Sequence, residues 1–378
     1  MLNEKKSSSD IPDEKENDEN KPFFLWDYLK EQSELSRPLV LYGTGDGADK
    51  ILQVMKQYGL EPDCFTKSGD LGGFKPNEVF AGYDVLPLDS IVNKRLKNAD
   101  FIVLVCFGTD KSDVLERLYS LAKEYEVYVP DVPVVGEGVY TPEYVEENRD
   151  KLEKARKLLA DEKSKEVFDG WLEYRLSGKP DILEGISSDK SEIYSLLKLN
   201  NKEFFVDAGA FKGDTVSEFL AEVGGNFEKI TAFEPDVKNY TFMRRKFYAL
   251  PGEKFCAVNA AAWDEDGTLD FAAKTGRAGS AFSKERVKQV KSAKIDTLCG
   301  EDKPTFIKLD VEGAESRVLQ GAKSIITKQR PKMVVSLYHR VEDMYELPLL
   351  IHSYNQRYKF YLRKTRCLPG WEFRLIVI

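Results

Sequence analysis

The stretch EFFVDAGAFKGDT, residues 203–215, decides the fold. An apolar run stops at Asp207, and Gly209 and Gly213 follow in a turn that leads into helix-period sequence. Strand, glycine turn and helix in that order open a βαβ unit, and such a turn suits a nucleotide-like ligand. Further apolar runs come after it: KITAFEP, KFCAVNAAA, TFIKLD, PKMVVSLYH, YKFYLRK and EFRLIVI. Helix-period segments at 213–222, 236–247, 313–327 and 342–354 fit between most of them. Only TRCLPGW separates the last two runs, so a hairpin closes the series and adds an antiparallel edge strand to a parallel sheet.

A second βα rhythm lies upstream. PLVLYGTGDGADK (38–50) again joins an apolar run to a glycine turn, and DKILQVMKQYG, PDCFT, DFIVLVCFGT, KSDVLERLYSLAKEY and EVYVP follow. This predicts a smaller Rossmann-like α/β domain over 22–140. Residues 141–200 are charged with apolar residues at helical spacing, which predicts one or two surface helices linking two domains. The second domain is expected over 201–378. The first 21 residues are acidic and poor in anything that packs, and they read as a disordered tail.

Bulk composition excludes several function classes. The net charge of −8, without a Lys/Arg block, argues against nucleic-acid binding. No apolar run approaches the ~20 residues that cross a bilayer, and the N-terminus has no signal-peptide core. Five cysteines are scattered without CxxC spacing, which argues against disulfides and zinc, and Cys106 and Cys256 read as core residues. The chain is expected to be cytoplasmic.

Glu234, at the end of TAFEP, stands about 20 residues beyond the glycine turn, where an acid binds ribose hydroxyls. Pyrophosphate prefers a small, glycine-lined turn at a helix N-terminus. This turn instead carries Phe211 and two acids, Asp207 and Asp214, which suit a sulfonium and an amino group better than a phosphate. S-adenosylmethionine has both and no phosphate.

FVDAGAFKGDT, AFEPD, NAAAWDEDGTLDF and FIKLDVEGAE, taken in order over about 203–335, resemble the FkbM family of S-adenosylmethionine-dependent methyltransferases. The resemblance implies a seven-stranded class I methyltransferase sheet and O-methylation of sugar or other hydroxyl-bearing acceptors. It implies a cofactor site of Asp207, Gly209, Ala210, Phe211, Gly213, Asp214 and Thr215 around the methionine part and Glu234 and Pro235 at the ribose. Asn259, Ala260 and Ala261 would lie near the adenine, with core packing the alternative for the two alanines.

At the catalytic end, KLDVEGAES supplies Asp310, Glu312 and Glu315, and VVSLYHR supplies His339. A hydroxyl is a poor nucleophile, so a base or an orienting carboxylate is useful, and Asp310, Glu312 and His339 are the candidates. Glu315 reads as a helix-start acid. A divalent cation on the same residues is a lesser alternative to acid/base chemistry, and no metal is assigned. Arg277 and Ser280 of RAGSAFS are substrate-side candidates. YKFYLRKTRCLPGWEF resembles a subset of the family that has histidine after this arginine, where this chain has Lys364.

In the first domain Gly43, Gly45 and Gly47 could cradle phosphate, but Lys67 and Ser68 stand where NAD binding wants an acid. A sugar-nucleotide site, a substrate-presenting module and glycines serving only the turn all remain open. The leading expectation is an O-methyltransferase with a small-molecule or glycan acceptor. A non-catalytic sugar-nucleotide-binding or scaffold protein is the alternative.

Overall fold

The computed structural model describes residues 22–67, 73–97, 99–136, 138–272 and 287–378. The expected tail over 1–21, Ser68, and the candidates Arg277 and Ser280 lie outside the described residues.

The N-terminal sheet contains β1 (Leu39–Tyr42) and β2 (Cys64–Thr66). A small hairpin, β3 (Val79–Phe80) and β4 (Tyr83–Asp84), precedes its remaining strands, β5 (Ile102–Val105) and β6 (Glu126–Tyr128). The order is β2-β1-β5-β6 and every pair is parallel. β5 is buried along its whole length, as expected for a central parallel strand read from a continuous apolar run. A lead-in helix, Leu25–Glu34, buries Leu25, Trp26 and Leu29.

The region 141–200 departs from the expectation of surface helices. Helix Glu162–Ser177 buries Val167, Phe168, Trp171, Tyr174 and Arg175. Trp171 stacks on Phe373 with ring centroids 3.9 Å apart, and Arg175 pairs with Asp131 at 2.9 Å while lying 4.4 Å from the Tyr140 ring centre. Apolar residues on more than one side of this helix make it a central packing element. Asp161 caps it by accepting from the Ser164 N–H, at 2.8 Å.

The larger sheet has eight strands: β7 (Ser187–Ser188), β8 (Phe204–Ala208), β9 (Lys229–Phe233), β10 (Phe255–Val258), β14 (Phe306–Leu309), β15 (Lys332–Ser336), β16 (Phe360–Thr365) and β17 (Phe373–Val377). Its order is β10-β9-β8-β14-β15-β17-β16-β7. Seven strands match the apolar runs. The eighth, β7, is a two-residue edge that the polar SerSer could not announce. β17 runs antiparallel to both β15 and β16, as the closing hairpin predicts. A separate three-stranded sheet, β11 (Ala261–Ala262), β12 (Gly267–Ala272) and β13 (Val287–Ala293), carries no such apolar signal.

One apolar core runs from the N-terminal sheet through the central helices to one face of the large sheet, and a second core fills the other face. Cys106 is buried as expected, whereas Cys256 is exposed because β10 is an edge strand. No described helix is long and apolar enough to cross a membrane.

Candidate functional site

The glycine turn after β8 is held from three sides. Gly209 has φ +86°, and a Cβ there would collide with the Asp310 carbonyl oxygen, so only glycine fits. The N–H groups of Gly209 and Ala210 both donate to the Phe233 carbonyl, at 3.2 and 2.9 Å. Phe211 is forced to φ +48° with its ring 37% exposed, and its N–H donates to Glu234 Oε2 at 2.8 Å.

Glu234 receives a second backbone donor at Oε1 from Asp236, also at 2.8 Å. Burial outweighs these two bonds and pushes its carboxyl up to about 7. Each oxygen keeps acceptor capacity for a further donor. The Asn259 side chain braces the same loop by donating to the carbonyls of Glu234 and Pro235, at 2.9 and 3.1 Å. Glu234, Phe211, Pro235, Asn259, Gly209 and Ala210 are therefore brought together.

Other expected cofactor residues stand apart from that mouth. Gly213, at φ +74°, is buried against Phe247 and Met243, so its missing side chain serves packing of the next helix. Asp214 is exposed and Thr215 half-buried at the start of helix Asp214–Glu222. Ala260 is buried and Ala261 pairs with Ser292, which is the packing alternative for both.

Asp207 is fully buried beneath the turn and neither carboxylate oxygen has a hydrogen bond of good geometry. Its counter-ion is Lys308 of β14, with Nζ 3.2 Å from Oδ1 and a 2.9 Å bond donated to the Gly209 carbonyl. Burial shifts the Asp207 carboxyl upward despite Lys308. Burial also works against the Lys308 charge, but Asp207 and Asp310 outweigh it, so the ammonium is retained.

Asp310 continues this row of charges. Burial would raise its carboxyl, but Arg374, Lys308 and His339 together hold it far below the ordinary range. Arg374 contacts Oδ2 at 3.0 Å, the Tyr338 hydroxyl donates to Oδ1 at 3.2 Å, and Arg374 also reaches Glu372 at 2.6 Å. His339 is buried, with Nδ1 2.9 Å from Glu315 Oε1 and Nε2 3.5 Å from Asp310 and 3.8 Å from Glu312. Burial alone would lower its pKa; Glu315, then Asp310 and Glu312, overcome that and push it up to about 9. That shift favours the protonated imidazolium near neutral pH. Glu312 sits at φ +54° on the exposed rim.

Glu315 is more than a helix-start acid. Its Oε1 accepts the Val311 N–H at 2.9 Å and the same oxygen faces His339. Asp310, Glu315 and His339 form a gathering of possible metal ligands with donor atoms within 4.8 Å of one another. Arg374, 3.0 Å from Asp310, already supplies positive charge to this gathering. Lys308, Tyr338 and Arg374 were not singled out from sequence, and Glu315 was read only as a helix-start acid. The charges interrupting TFIKLD and EFRLIVI were the available signal.

Lys364 is fully buried, donating to the carbonyls of Thr365 and Cys367 at 2.9 Å each and to Ser187 at 3.3 Å. Burial lowers its pKa. It braces the turn between β16 and β17. That turn meets the N-terminal sheet, where Thr109 and Leu368 exchange backbone bonds and a Cβ on Gly108 would collide with the Trp371 ring.

In the upstream glycine turn, Gly43 at φ +127° packs on Phe107 and a Cβ on Gly47 would collide with the Cys106 carbonyl, while Gly45 faces open space. Two of the three glycines therefore serve packing. Lys67 is paired with Glu78 at 2.6 Å. Lys50, in helix Asp46–Gln57, donates to the carbonyls of Pro133 and Val134, and the Val135 N–H donates to the His339 carbonyl at 3.1 Å.

Comparison with known proteins agrees with this arrangement. The family model described as the methyltransferase FkbM domain matches residues 207–358. The fold is similar to that of methyltransferase FkbM from Methylobacillus flagellatus KT, at 20% identity and TM-score 0.72, covering 95% of this chain and 96% of that one. An rRNA methylase from Streptococcus thermophilus (13% identity, TM-score 0.30) covers 53% of this chain and 95% of its own. Precorrin-6y C5,15-methyltransferase from Geobacter metallireducens GS-15 (11%, 0.31) covers 50% and 90%. Similarity at those two scores carries no weight here. No curated protein matches the chain. Residues 207–358 thus match the methyltransferase FkbM domain, and the chain shares its fold with a methyltransferase FkbM.

Proposed function

We propose that this chain is an S-adenosylmethionine-dependent O-methyltransferase acting on a hydroxyl of a carbohydrate-like or glycosylated acceptor. The observation that carries the reading is Glu234, an acid held by two backbone N–H groups at the mouth of a glycine turn, with acceptor capacity left on both oxygens. A cofactor ribose would donate its hydroxyls there, and Phe211 would border the nucleoside. The acids around the turn, Asp214, Glu234 and Asp310, fit a cationic, phosphate-free cofactor. When bound, that cofactor supplies an electrophilic methyl group.

Asp310 is ionised across the physiological range and stands at the end of β14, next to β8. Its role in this reading is to accept a hydrogen bond from the acceptor hydroxyl, aim the oxygen, and take up the hydroxyl proton as the new oxygen–methyl bond forms. His339, protonated and pinned by Glu315, contributes positive charge beside the alkoxide-like oxygen that develops. Glu312 lies at the rim, where an incoming acceptor meets solvent. The N-terminal unit (22–140) and the helical region (141–200) act as a support and outer wall for this edge, an arrangement favoured by the Val135–His339 and Thr109–Leu368 bonds.

Calorimetry with S-adenosylhomocysteine tests the proposal. Binding by the intact protein and a loss on the order of a hundredfold in Glu234→Ala are expected, the equivalent of about 3 kcal/mol for two charge-assisted bonds. No binding, or equal binding by the variant, sinks it. Mass spectrometry of cell glycans with and without the protein, looking for a methyl-sized difference, then identifies the acceptor.

A further inference from the structure

Of the exposed large apolar side chains, four gather on one surface. Val237 (63% exposed), Phe242 (51%) and Tyr248 (85%) line the outer side of helix Val237–Lys246 and the residues just after it, and Phe211 adjoins them. Lys212 ties the group together, its Nζ 5.1 Å from the Phe211 ring centre and 5.7 Å from that of Phe242. The helix carries Lys238, Arg244, Arg245 and Lys246 and no acid. Arg244, Arg245, Tyr240, Thr241 and Tyr248 line a shallow depression.

Basic residues in a helix's last turn are favoured by its dipole, which accounts for their position but not for three exposed apolar side chains between them. The patch also stands against a chain of net charge −8. Its inner side is anchored by Met243 and Phe247, which are buried in the second core, so the outer side is presented on a fixed support. The N-terminal unit and the helical region are attached at the other end of the sheet, through the Thr109–Leu368 and Leu159–Phe360 bridges, and leave this end uncovered among the described residues.

We propose that helix Val237–Lys246 docks the protein on an anionic membrane surface. Isolated apolar tips interleaved with cations are the chemistry of interfacial binding: Phe242, Val237 and Tyr248 enter the headgroup boundary while the cations meet lipid phosphates. The depression between Arg244 and Arg245 suits one phosphodiester, bound by guanidinium groups and flanked by tyrosine hydroxyls. A second copy of the chain is the weaker partner, because a two-fold contact through this patch would set the same cations against one another. The inference is independent of the acceptor's identity and of the methyl-transfer reading.

Sedimentation of the full-length protein with vesicles tests it, using phosphatidylcholine alone or with about a third phosphatidylglycerol at ~0.1 M salt, where the screening length is about 10 Å. Retention on the anionic vesicles only is expected, with a loss on the order of a hundredfold in the double variant Arg244→Glu, Arg245→Glu. Phe242→Ser should weaken retention roughly tenfold and leave its salt dependence unchanged. All three side chains are exposed, and unchanged circular dichroism and thermal unfolding would verify that the variants are folded. Equal retention on both vesicle types, or retention indifferent to the charge reversal, overturns the proposal. So does self-association, or binding of an acidic polypeptide, that is sensitive to the same variants when vesicles are not bound.

Discussion

Replacing Lys308 by methionine isolates the worth of the buried charge row. Methionine keeps most of the stem and removes the cation 3.2 Å from Asp207, together with the donor to the Gly209 carbonyl. Asp207, without exposed surface, must then remain ionised with no partner or take up a proton. Proton uptake at pH 7 costs about 1.36 × (7 − 3.9), roughly 4 kcal/mol, against an unfolded chain whose carboxyl ionises near 3.9. At pH 5 the same contribution is about 1.5 kcal/mol. The lost donor adds about 1 kcal/mol at either pH. Lys308→Met should therefore lower stability by up to about 5 kcal/mol at pH 7 and up to about 2.5 kcal/mol at pH 5, read from urea unfolding. The direction follows from the raised folded pKa: the folded variant holds a proton that the unfolded chain has released, so its stability falls as pH rises. Adding Asp207→Asn should remove most of the pH dependence. A penalty under about 1 kcal/mol, the range of exposed pairs, or one equal at both pH values, would refute the reasoning.

Three further outcomes are expected. With Glu234 at about 7, S-adenosylhomocysteine binding at pH 7 should release about half a proton, measured by calorimetry in buffers of different ionisation enthalpy, and Glu234→Gln should abolish the release. His339, raised to about 9, contributes stability that is complete below its unfolded pKa near 6.5 and is lost as pH rises through 9. Unfolding at pH 6 and pH 10 should show a decline of about 3 kcal/mol that His339→Gln lacks. Gly209→Ala should cost at least ~3 kcal/mol, since a positive φ and a collision with the Asp310 carbonyl both oppose it, and a near-neutral thermal melt would contradict the turn geometry.

The large sheet was legible because its strands are apolar runs between glycine or proline turns; FFVDA and KITAF lie where the runs put them. What escaped has a physical reason. β7 is two serines whose pairing is imposed by β16, and β11 to β13 pair through residues without a clear alternation. Helix Glu162–Ser177 looked like a surface element because of its charges, yet Arg175 is neutralised by Asp131 and buried among aromatic rings. Around the site, chain order exposed the acids at strand ends but not their partners. Lys308 and Arg374 sit inside strands, and only the sheet order brings them to Asp207 and Asp310.

The stitching of β16 and β17 to earlier parts of the chain has a consequence for synthesis on the ribosome. Arg363 bonds Asp161 from 202 residues away, and Tyr140 meets Met344 across 204. The N-terminal sheet can form as soon as it emerges, but Trp171 and Gly108 wait for Phe373 and Trp371, made much later. Until then the nascent chain carries an uncovered apolar face, a species that chaperones bind and proteases find. Folding here is closed by β16 and β17, so removal of that hairpin should lower cellular yield more than it lowers the intrinsic stability of the N-terminal sheet.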